Sequence, residues 1–168
     1  AEDNDLAEEG TALHEVFEDA MNDHKITKAK IIKAIKKHPN ISPGTHNDPY
    51  IQDEFYRLVE VNRKFVNEQT DWYVVEKRIK VKGLSQFGTV DLIAGNLDKR
   101  ELYVRDLKTG YGEVSADENY QLMTYAVGLL DEVDAEGVSN WDKYDNVNLH
   151  IIGVRWASND WDITSEDL

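Results

Sequence analysis

Residues 88–125 decide the fold, and they read GTVDLIAGNLDKRELYVRDLKTGYGEVSADENYQLMTY. The apolar run TVDLIAG, residues 89–95, ends at the turn-forming sequence Asn96-Leu97-Asp98. A second apolar run, ELYVRDLKT, follows it at residues 101–109. Two runs of this kind around a turn predict a β-hairpin. The residues after the hairpin predict a loop and then a helix.

Three charged residues lie within the predicted hairpin. Asp91 is inside its first strand, whereas Asp106 and Lys108 are two residues apart at the end of its second strand. Residues two apart on a strand project from the same face. Charged groups on an apolar strand are unfavourable to bury unless they are paired or bind an ion. The residues therefore form either an Asp–Lys surface pair on an edge strand or a functional site.

Four motifs in a fixed order favour a functional site. Residues 88–91 (GTVD), 106–110 (DLKTG) and 121–125 (QLMTY) resemble the motifs of the PD-(D/E)XK nuclease superfamily, in particular its RecB-like branch. Residues 10–14 (GTALH) resemble the start of that branch's N-terminal histidine helix. The likeness is to RecB-like proteins encoded by bacteriophages. It implies an α/β fold with a restriction-endonuclease-like core, in which helices flank a small mixed β-sheet.

The resemblance implies a metal-dependent DNA nuclease with Asp91, Asp106 and Lys108 as catalytic residues. Asp91, Asp106, His14 and the backbone carbonyl of Leu107 would bind one or two Mg²⁺ or Mn²⁺ ions. Oxygen ligands suit both ions, and an imidazole favours Mn²⁺ somewhat. Lys108 would orient or deprotonate the attacking water. The expected activity is that of an exonuclease or DNA-end-processing enzyme of phage replication or recombination, with DNA and a replication or recombination protein, or further copies of the chain, as partners.

Other interpretations of these residues remain open. The chain could be a nuclease-fold protein without activity that serves as a DNA-binding or interaction module, or an acidic protein unrelated to DNA. His14 could be an ordinary structural histidine of a helix. Glu76 is a further candidate metal ligand on a predicted strand at residues 72–81, and a cross-strand salt bridge is its alternative role. On that strand the alternation predicts one face with Glu76, Arg78 and Lys80, and another with Val75, Lys77, Ile79 and Val81.

The pair Gln121 and Tyr125 is spaced i, i+4 on a helix predicted at residues 119–130, so the two side chains share a face. Packing and solvent contact is the ordinary role of such a pair. Because the pair follows the Asp-x-Lys strand, we expect it to contact DNA near the cleaved bond.

The net charge of −14 and the isoelectric point near 4.7 are unusual for a DNA-binding protein. A local exception is a lysine-rich run between His24 and His38 that contains no Asp or Glu. The run is either a solvated helix face or a phosphate-binding surface. The second interpretation predicts DNA contacts from Lys25, Lys28, Lys33 and Lys36.

The 168 residues suffice for one nuclease domain over 1–168, in which 1–9 and about 162–168 are expected to be frayed acidic ends. The first helix is predicted from near Gly10, with Thr11 as its N-cap, to about Asn22. Further helices are predicted at 27–37 and 50–69, and a last strand at 147–156. Residues 38–49 hold all three prolines and predict a loop, and residues 82–87 a turn into the hairpin.

Composition excludes several classes of site. The chain has no cysteine, so it forms no disulfide, thiolate zinc site or iron–sulfur cluster. No apolar run reaches membrane-spanning length, and the acidic N-terminus does not resemble a signal peptide. We therefore expect no membrane partner and a cytoplasmic protein, in the infected bacterial host if a phage encodes it.

Overall fold

The computed structural model describes residues 2–81 and 87–168, with side chains from residue 5 onward. Of the turn predicted at residues 82–87, residues 82–86 lie outside the described residues. The helices and strands, in chain order, are α1 (Glu2–Asn22), α2 (Lys28–Lys37), α3 (Pro43–His46), α4 (Pro49–Gln69), β1 (Trp72–Lys80), β2 (Phe87–Asn96), β3 (Glu101–Lys108), α5 (Tyr120–Leu130), α6 (Asn140–Lys143), β4 (Asn146–Gly153) and β5 (Asn159–Thr164), followed by a 3-10 turn at Ser165–Asp167.

The architecture is mixed α/β, with a five-stranded sheet in the order β1-β2-β3-β4-β5. Strand β3 pairs with β4 in parallel, and the other three pairs are antiparallel. The parallel pair requires a long crossover, which contains α5. This arrangement places the start of β2 and the end of β3 at the same end of the sheet.

Two apolar clusters cover the two faces of the sheet. On one face, α1, α2 and α4 bury an aliphatic and aromatic cluster that includes Phe17, Ile35 and Phe55. On the other face, α5 packs through Leu122, Ala126 and Leu129 onto the strands. The apolar stripes of α4 and α5 are those that the sequence predicts, because helical spacing depends only on local periodicity.

Most predicted elements are confirmed, some with capping residues that explain their ends. Thr27 caps α2, because its hydroxyl accepts a hydrogen bond from Lys30 N–H at 3.2 Å. Asn119 caps α5 in the same way through Leu122 N–H at 3.1 Å. The β2–β3 hairpin also forms as predicted. The proline-rich loop contains the short helix α3, which was not predicted.

The predicted start of the first helix was wrong. Helix α1 begins at Glu2, and Thr11 is inside it, where its hydroxyl donates to the carbonyl of Ala7 at 3.1 Å. Acidic residues near a helix N-terminus interact favourably with the helix dipole, so the acidic lead supports helix formation. Tertiary contacts add to this, because the buried Glu9 accepts hydrogen bonds from Ser42 N–H and Oγ at 3.0 Å each.

The frayed end predicted at the other terminus was also wrong. Residues 159–164 form β5, which pairs antiparallel with β4. Half-buried Trp161 and Ile163 alternate there with exposed Asp160 and Asp162, a strand pattern that the acidic composition obscured. Charged side chains are common on edge strands because they oppose pairing with other chains.

The predicted faces of β1 were partly wrong, because the alternation breaks at Glu76. Val75 packs against the α1–α4 cluster, whereas Ile79 belongs to the α5 cluster. Glu76 has a φ of 55°, in the left-handed region that non-glycine residues rarely adopt. That dihedral turns the strand, so Val75 and Ile79 face opposite sides of the sheet.

Among the helices of the described residues, none combines the length and apolar character needed to cross a bilayer.

Candidate functional site

Asp91 lies where the pairing of β2 with β3 ends. The last residue pair of this ladder is Leu92 with Arg105. Beyond it, the Asp91 carboxylate takes the place of a backbone partner and accepts a hydrogen bond from Leu107 N–H at 2.7 Å. The end of the ladder therefore brings Asp91 beside the Asp106-Leu107-Lys108 segment, as the hairpin prediction requires.

His14 reaches the same point from α1. Its Nδ1 lies 2.7 Å from the carbonyl oxygen of Gly10, and its Nε2 lies 2.9 Å from the carbonyl oxygen of Leu107 and 3.4 Å from Asp91 Oδ2. Gly10 permits this approach, because a Cβ at that position would lie 3.1 Å from Thr109 Oγ1. The structure thus brings together His14, Asp91 and the Leu107 carbonyl, as the resemblance implies.

The environment of His14 favours its charged form. Burial alone would lower the pKa of His14, but the hydrogen bond and negative charge of Asp91, with the Gly10 carbonyl and Asp106, raise it to about 9. Both ring nitrogens face acceptors, so both carry protons in the metal-free protein.

Buried Asp106 and half-buried Asp91 form a carboxyl pair. Burial, the hydrogen bond to Asp91 and the charge of Asp91 raise the pKa of Asp106 to about 7, against the opposing effect of Lys108. Burial alone would raise the pKa of Asp91 as well, but hydrogen bonds from His14, Asp106 and Leu107 N–H hold it below its ordinary range. Two adjacent carboxyls in a shielded position cannot both ionise readily, so the pair retains a proton near neutral pH.

Lys108 connects the carboxyl pair to α5. Its Nζ lies 2.8 Å from Asp106 Oδ2 and donates to Gln121 Oε1 at 3.1 Å. The Gln121 amide in turn donates to the Tyr125 hydroxyl at 3.2 Å. The sequence predicted that Gln121 and Tyr125 share a helix face near Lys108, and this is confirmed. Their direct partners in the structure are each other and Lys108.

Close packing against Tyr125 explains why the first motif begins with a glycine, Gly88. A Cβ at this position would lie 2.1 Å from Cε1 of Tyr125, well inside van der Waals contact. The Tyr125 ring therefore rests on the backbone of β2, and this contact fixes the hydroxyl that binds Gln121. The motifs at residues 88–91 and 121–125 are parts of one packed unit.

Glu76 lies beside Asp91 across the β1–β2 pairing and lines the same cleft. Its carboxyl is hydrogen-bonded to that of Glu18, and this hydrogen bond, with burial and the charge of Glu76, raises the pKa of Glu18 to about 7. The left-handed φ of Glu76 is a strained conformation for a glutamate. Glu18 lies one turn after His14 on the same face of α1 and is therefore a further site residue.

The cleft itself is open and has a volume of about 410 Å³. Within residues 2–81 and 87–168, no three His, Asp or Glu side chains form a preformed metal site. The candidate ligands instead contact one another. His14 faces the Leu107 carbonyl, Asp106 pairs with Lys108, and the carboxyls of Asp91 and Asp106 share a hydrogen bond. The donor set nevertheless fits a hard divalent cation, since it offers carboxylates, a carbonyl oxygen and an imidazole. The cleft is lined by Ala7, Gly10, Thr11, His14, Glu76, Thr89, Asp91 and Asp106.

The predicted DNA-contacting lysines do not join this cleft. Lys25, Lys28, Lys33 and Lys36 are exposed, none of them lines the cleft, and Lys28 forms an ion pair with Asp53 of α4. A basic residue nearer to the cleft is Arg78, which pairs in register with the cleft residue Thr89. The sequence pattern that could have indicated Arg78 is the strand alternation that places it on one predicted face with Glu76.

Comparisons with known proteins give one family. The profile of a family described as "Protein of unknown function (DUF2800)" matches residues 1–168. No curated protein matches the sequence. Among solved structures, the crystal structure of SSO0001 is similar over 92% of this chain and 76% of that chain, with 13% identity and a TM-score of 0.30. A TM-score this low does not indicate a shared fold.

Proposed function

We propose that this chain, which belongs to the family described as Protein of unknown function (DUF2800), is a metal-dependent DNA nuclease. One observation carries the proposal. At one end of the sheet, the side chains of His14, Asp91 and Asp106 line one open cleft, and the Leu107 carbonyl oxygen and the Lys108 ammonium group contact them directly. These are the groups that hydrolysis of a phosphodiester requires, because that reaction depends on neutralising and positioning charge.

We assign the sheet to a restriction-endonuclease-like core. The resemblance implies that the strand bearing Glu76 lies beside the strand bearing Asp91, and the pairing of β1 with β2 supports this. The mixed sheet with helices on both faces supports it as well.

Asp91, Asp106, the Leu107 carbonyl and His14 would hold Mg²⁺ or Mn²⁺, with Glu76 as a further ligand. The bound ion supplies Lewis-acid activation of the phosphate and of a water molecule. Lys108 is held between Asp106 and Gln121, so its ammonium group is fixed beside the carboxyl pair. In that position it orients the attacking water and offsets negative charge in the transition state.

The open cleft suits a DNA end, and the proposed activity is that of an exonuclease or end-processing enzyme in phage replication or recombination. Glu76 lines the cleft, and Glu18 lies beside it. Their negative charges repel a phosphate backbone unless cations are present. This explains how so acidic a protein would act on DNA only with its metal bound.

The test is cleavage of end-labelled single-stranded and double-stranded DNA in Mg²⁺ and in Mn²⁺, with circular DNA alongside. We expect wild-type protein to cut linear DNA, and Asp106→Ala and Lys108→Ala to be inactive. The matched control is Lys143→Ala, which removes a lysine from a half-buried 2.7 Å ion pair with Asp134 and leaves the cleft intact. Equal cleavage by the wild type and both cleft variants would refute the proposal. Cutting of circular DNA would refute the exonuclease assignment alone.

One observation favours the alternative of an inactive DNA-binding or interaction module. In the described part of the chain the proposed ligands bind one another, and none of them forms a preformed metal site. Salt-dependent DNA binding without cleavage in either metal would support that alternative.

A further inference from the structure

Two aromatic side chains next to the cleft each have an arginine against one face and remain exposed. The Arg155 guanidinium lies 4.2 Å from the centre of the Tyr111 ring, and Tyr111 is 71% exposed. The Arg78 guanidinium lies 4.7 Å from the centre of the Phe87 ring, and Phe87 is 56% exposed. Single exposed aromatic side chains are common on protein surfaces, but each of these two rings also has a guanidinium against it that fixes its orientation.

Both rings belong to the end of the sheet that carries the cleft. Tyr111 follows Lys108 by three residues, which span at most about 11 Å of chain. Phe87 precedes Asp91 by four residues, at most about 14 Å along β2. It also lies two residues before Thr89, on the same strand face, and Thr89 lines the cleft. Phe87 therefore lies on the cleft face of β2, and Tyr111 lies just beyond the end of β3, where it lines a neighbouring cavity with Glu8 and Glu9 of α1.

The Tyr111 ring is held on a fixed support. Three consecutive carbonyl oxygens, starting at the last residue of β3, accept hydrogen bonds from residues 154–156. The carbonyls of residues 108, 109 and 110 accept from Val154 N–H at 3.1 Å, Arg155 Nε at 2.9 Å and Trp156 Nε1 at 3.2 Å. The Arg155 side chain is only 11% exposed and lies 3.7 Å from the buried Glu9 carboxylate. Arg155 is thus fixed before any ligand binds, and its guanidinium lies over the Tyr111 ring while most of that side chain stays exposed.

We propose that Tyr111 and Phe87 are stacking sites for unpaired nucleobases on either side of the cleaved phosphate. The inference rests on the proposed function, and it names the substrate as nucleic acid with unpaired bases at the cleft. An exposed ring backed by a guanidinium offers a flat face to any base, and stacking of this kind tolerates all sequences. It also suits an acidic protein, because stacking needs no attraction to the phosphates.

The test is the affinity of a fluorescein-labelled single-stranded oligonucleotide, measured by fluorescence anisotropy in EDTA, where no cleavage occurs, with about 0.15 M monovalent salt to screen the acidic cleft. We expect Tyr111→Ala and Phe87→Ala each to raise the Kd about tenfold, the loss typical of one base–aromatic stack. Tyr111→Phe keeps the ring and should bind within about twofold of the wild type. Leu97→Ala is the control for loss of an exposed apolar side chain, since Leu97 is 50% exposed in the β2–β3 turn, at the other end of the hairpin.

A second arm replaces one nucleotide at a time with an abasic residue. At the position that stacks on Tyr111, the abasic residue should weaken binding to the wild type and have no further effect on Tyr111→Ala. Unchanged Kd values for both alanine variants would overturn the proposal. So would independent effects, in which the fold-increases in Kd from the abasic residue and from the alanine substitution multiply at every position. Because affinity is measured without metal, a failure to bind through the rings is separable from a failure of the proposed nuclease activity, which would appear as an absence of cleavage by the wild type.

Discussion

His14 Nε2 lies 2.9 Å from the carbonyl oxygen of Leu107, 93 residues farther along the chain. This contact joins the first helix to the end of β3 and sets the geometry of the cleft. It also orients the imidazole toward Asp91, whose carboxylate accepts the Leu107 N–H. One backbone segment thus positions both side chains.

Replacing Gly88 by alanine should destabilise the fold and disturb the cleft. The new Cβ would lie 2.1 Å from Cε1 of Tyr125, and overpacking of this kind destabilises by about 1–3 kcal/mol. Urea unfolding measures the change, with Gly112→Ala as the control, because a Cβ there meets nothing within 4 Å. Equal stability of the two variants would show that Tyr125 does not rest on Gly88.

Mg²⁺ or Mn²⁺ should raise the melting temperature. Burial and the neighbouring Asp91 raise the pKa of Asp106 to about 7, so ionising both carboxyls is unfavourable without metal, and a bound cation would stabilise the fully ionised pair. Binding at 100 times the Kd stabilises by about 2.7 kcal/mol. Differential scanning calorimetry of the wild type and of Asp106→Asn, with EDTA or with millimolar metal, measures the effect. No shift for the wild type, or the same shift for both proteins, would contradict a metal site at this pair.

Stability should fall in mild acid through His150, which lies on β4 away from the cleft. Burial and the positive charge of Arg105, partly offset by Asp160, lower the pKa of His150 from 6.5 to about 4. The unfolded chain then binds a proton that the folded chain excludes, so this contribution is complete above pH 6.5 and is lost as the pH falls toward 4. It amounts to at most about 3 kcal/mol.

Comparison of the wild type with His150→Gln isolates this effect from other titrating groups. Between pH 6.5 and 4, the unfolding free energy of the variant should fall less steeply than that of the wild type. The difference in slope should correspond to the uptake of up to one proton on unfolding. Parallel curves would mean that His150 titrates normally in the folded protein.

If Gln121 acts by positioning Lys108, whose ammonium group donates to its side chain, Gln121→Ala should lower kcat about tenfold and leave KM near the wild-type value. Tyr125→Phe should produce a smaller loss of the same kind, since it removes only the hydroxyl that holds Gln121. Thr124→Ala is the control, because the Thr124 hydroxyl donates within α5 to the Tyr120 carbonyl. A rise in KM without a change in kcat would instead assign Gln121 to DNA binding, the role expected from the sequence.

Local patterns were sufficient to predict the hairpin, α4 and α5, because each depends on periodicity and on turn residues close in sequence. They failed where tertiary contacts decide. The acidic lead of α1 is helical partly because Glu9 is bound by Ser42, a contact across 33 residues. The face of Val75 could not be predicted either, since the left-handed backbone of Glu76 has no signature in the side-chain pattern.

The candidate site was predicted mainly from the order of the four motifs and their resemblance to a known family. Local physical patterns, such as residue spacing, contributed little. The spacing of Asp106 and Lys108 places both on one face, and their 2.8 Å contact confirms this. Nothing local indicates that His14 meets the Leu107 carbonyl, or that Gln121 binds Lys108. The lysines of α2 were chosen by charge alone, and Lys28 instead pairs with Asp53.

The most direct test of the account is the single-turnover rate of DNA cleavage in Mn²⁺ by Lys108→Met, with DNA affinity measured separately. Methionine keeps the length of the side chain and removes its charge and its donors. We predict unchanged affinity and a cleavage rate at least about 100-fold below that of the wild type, as expected when a group that assists the attacking water is lost. Cleavage by Lys108→Met at the wild-type rate would contradict the proposed nuclease site.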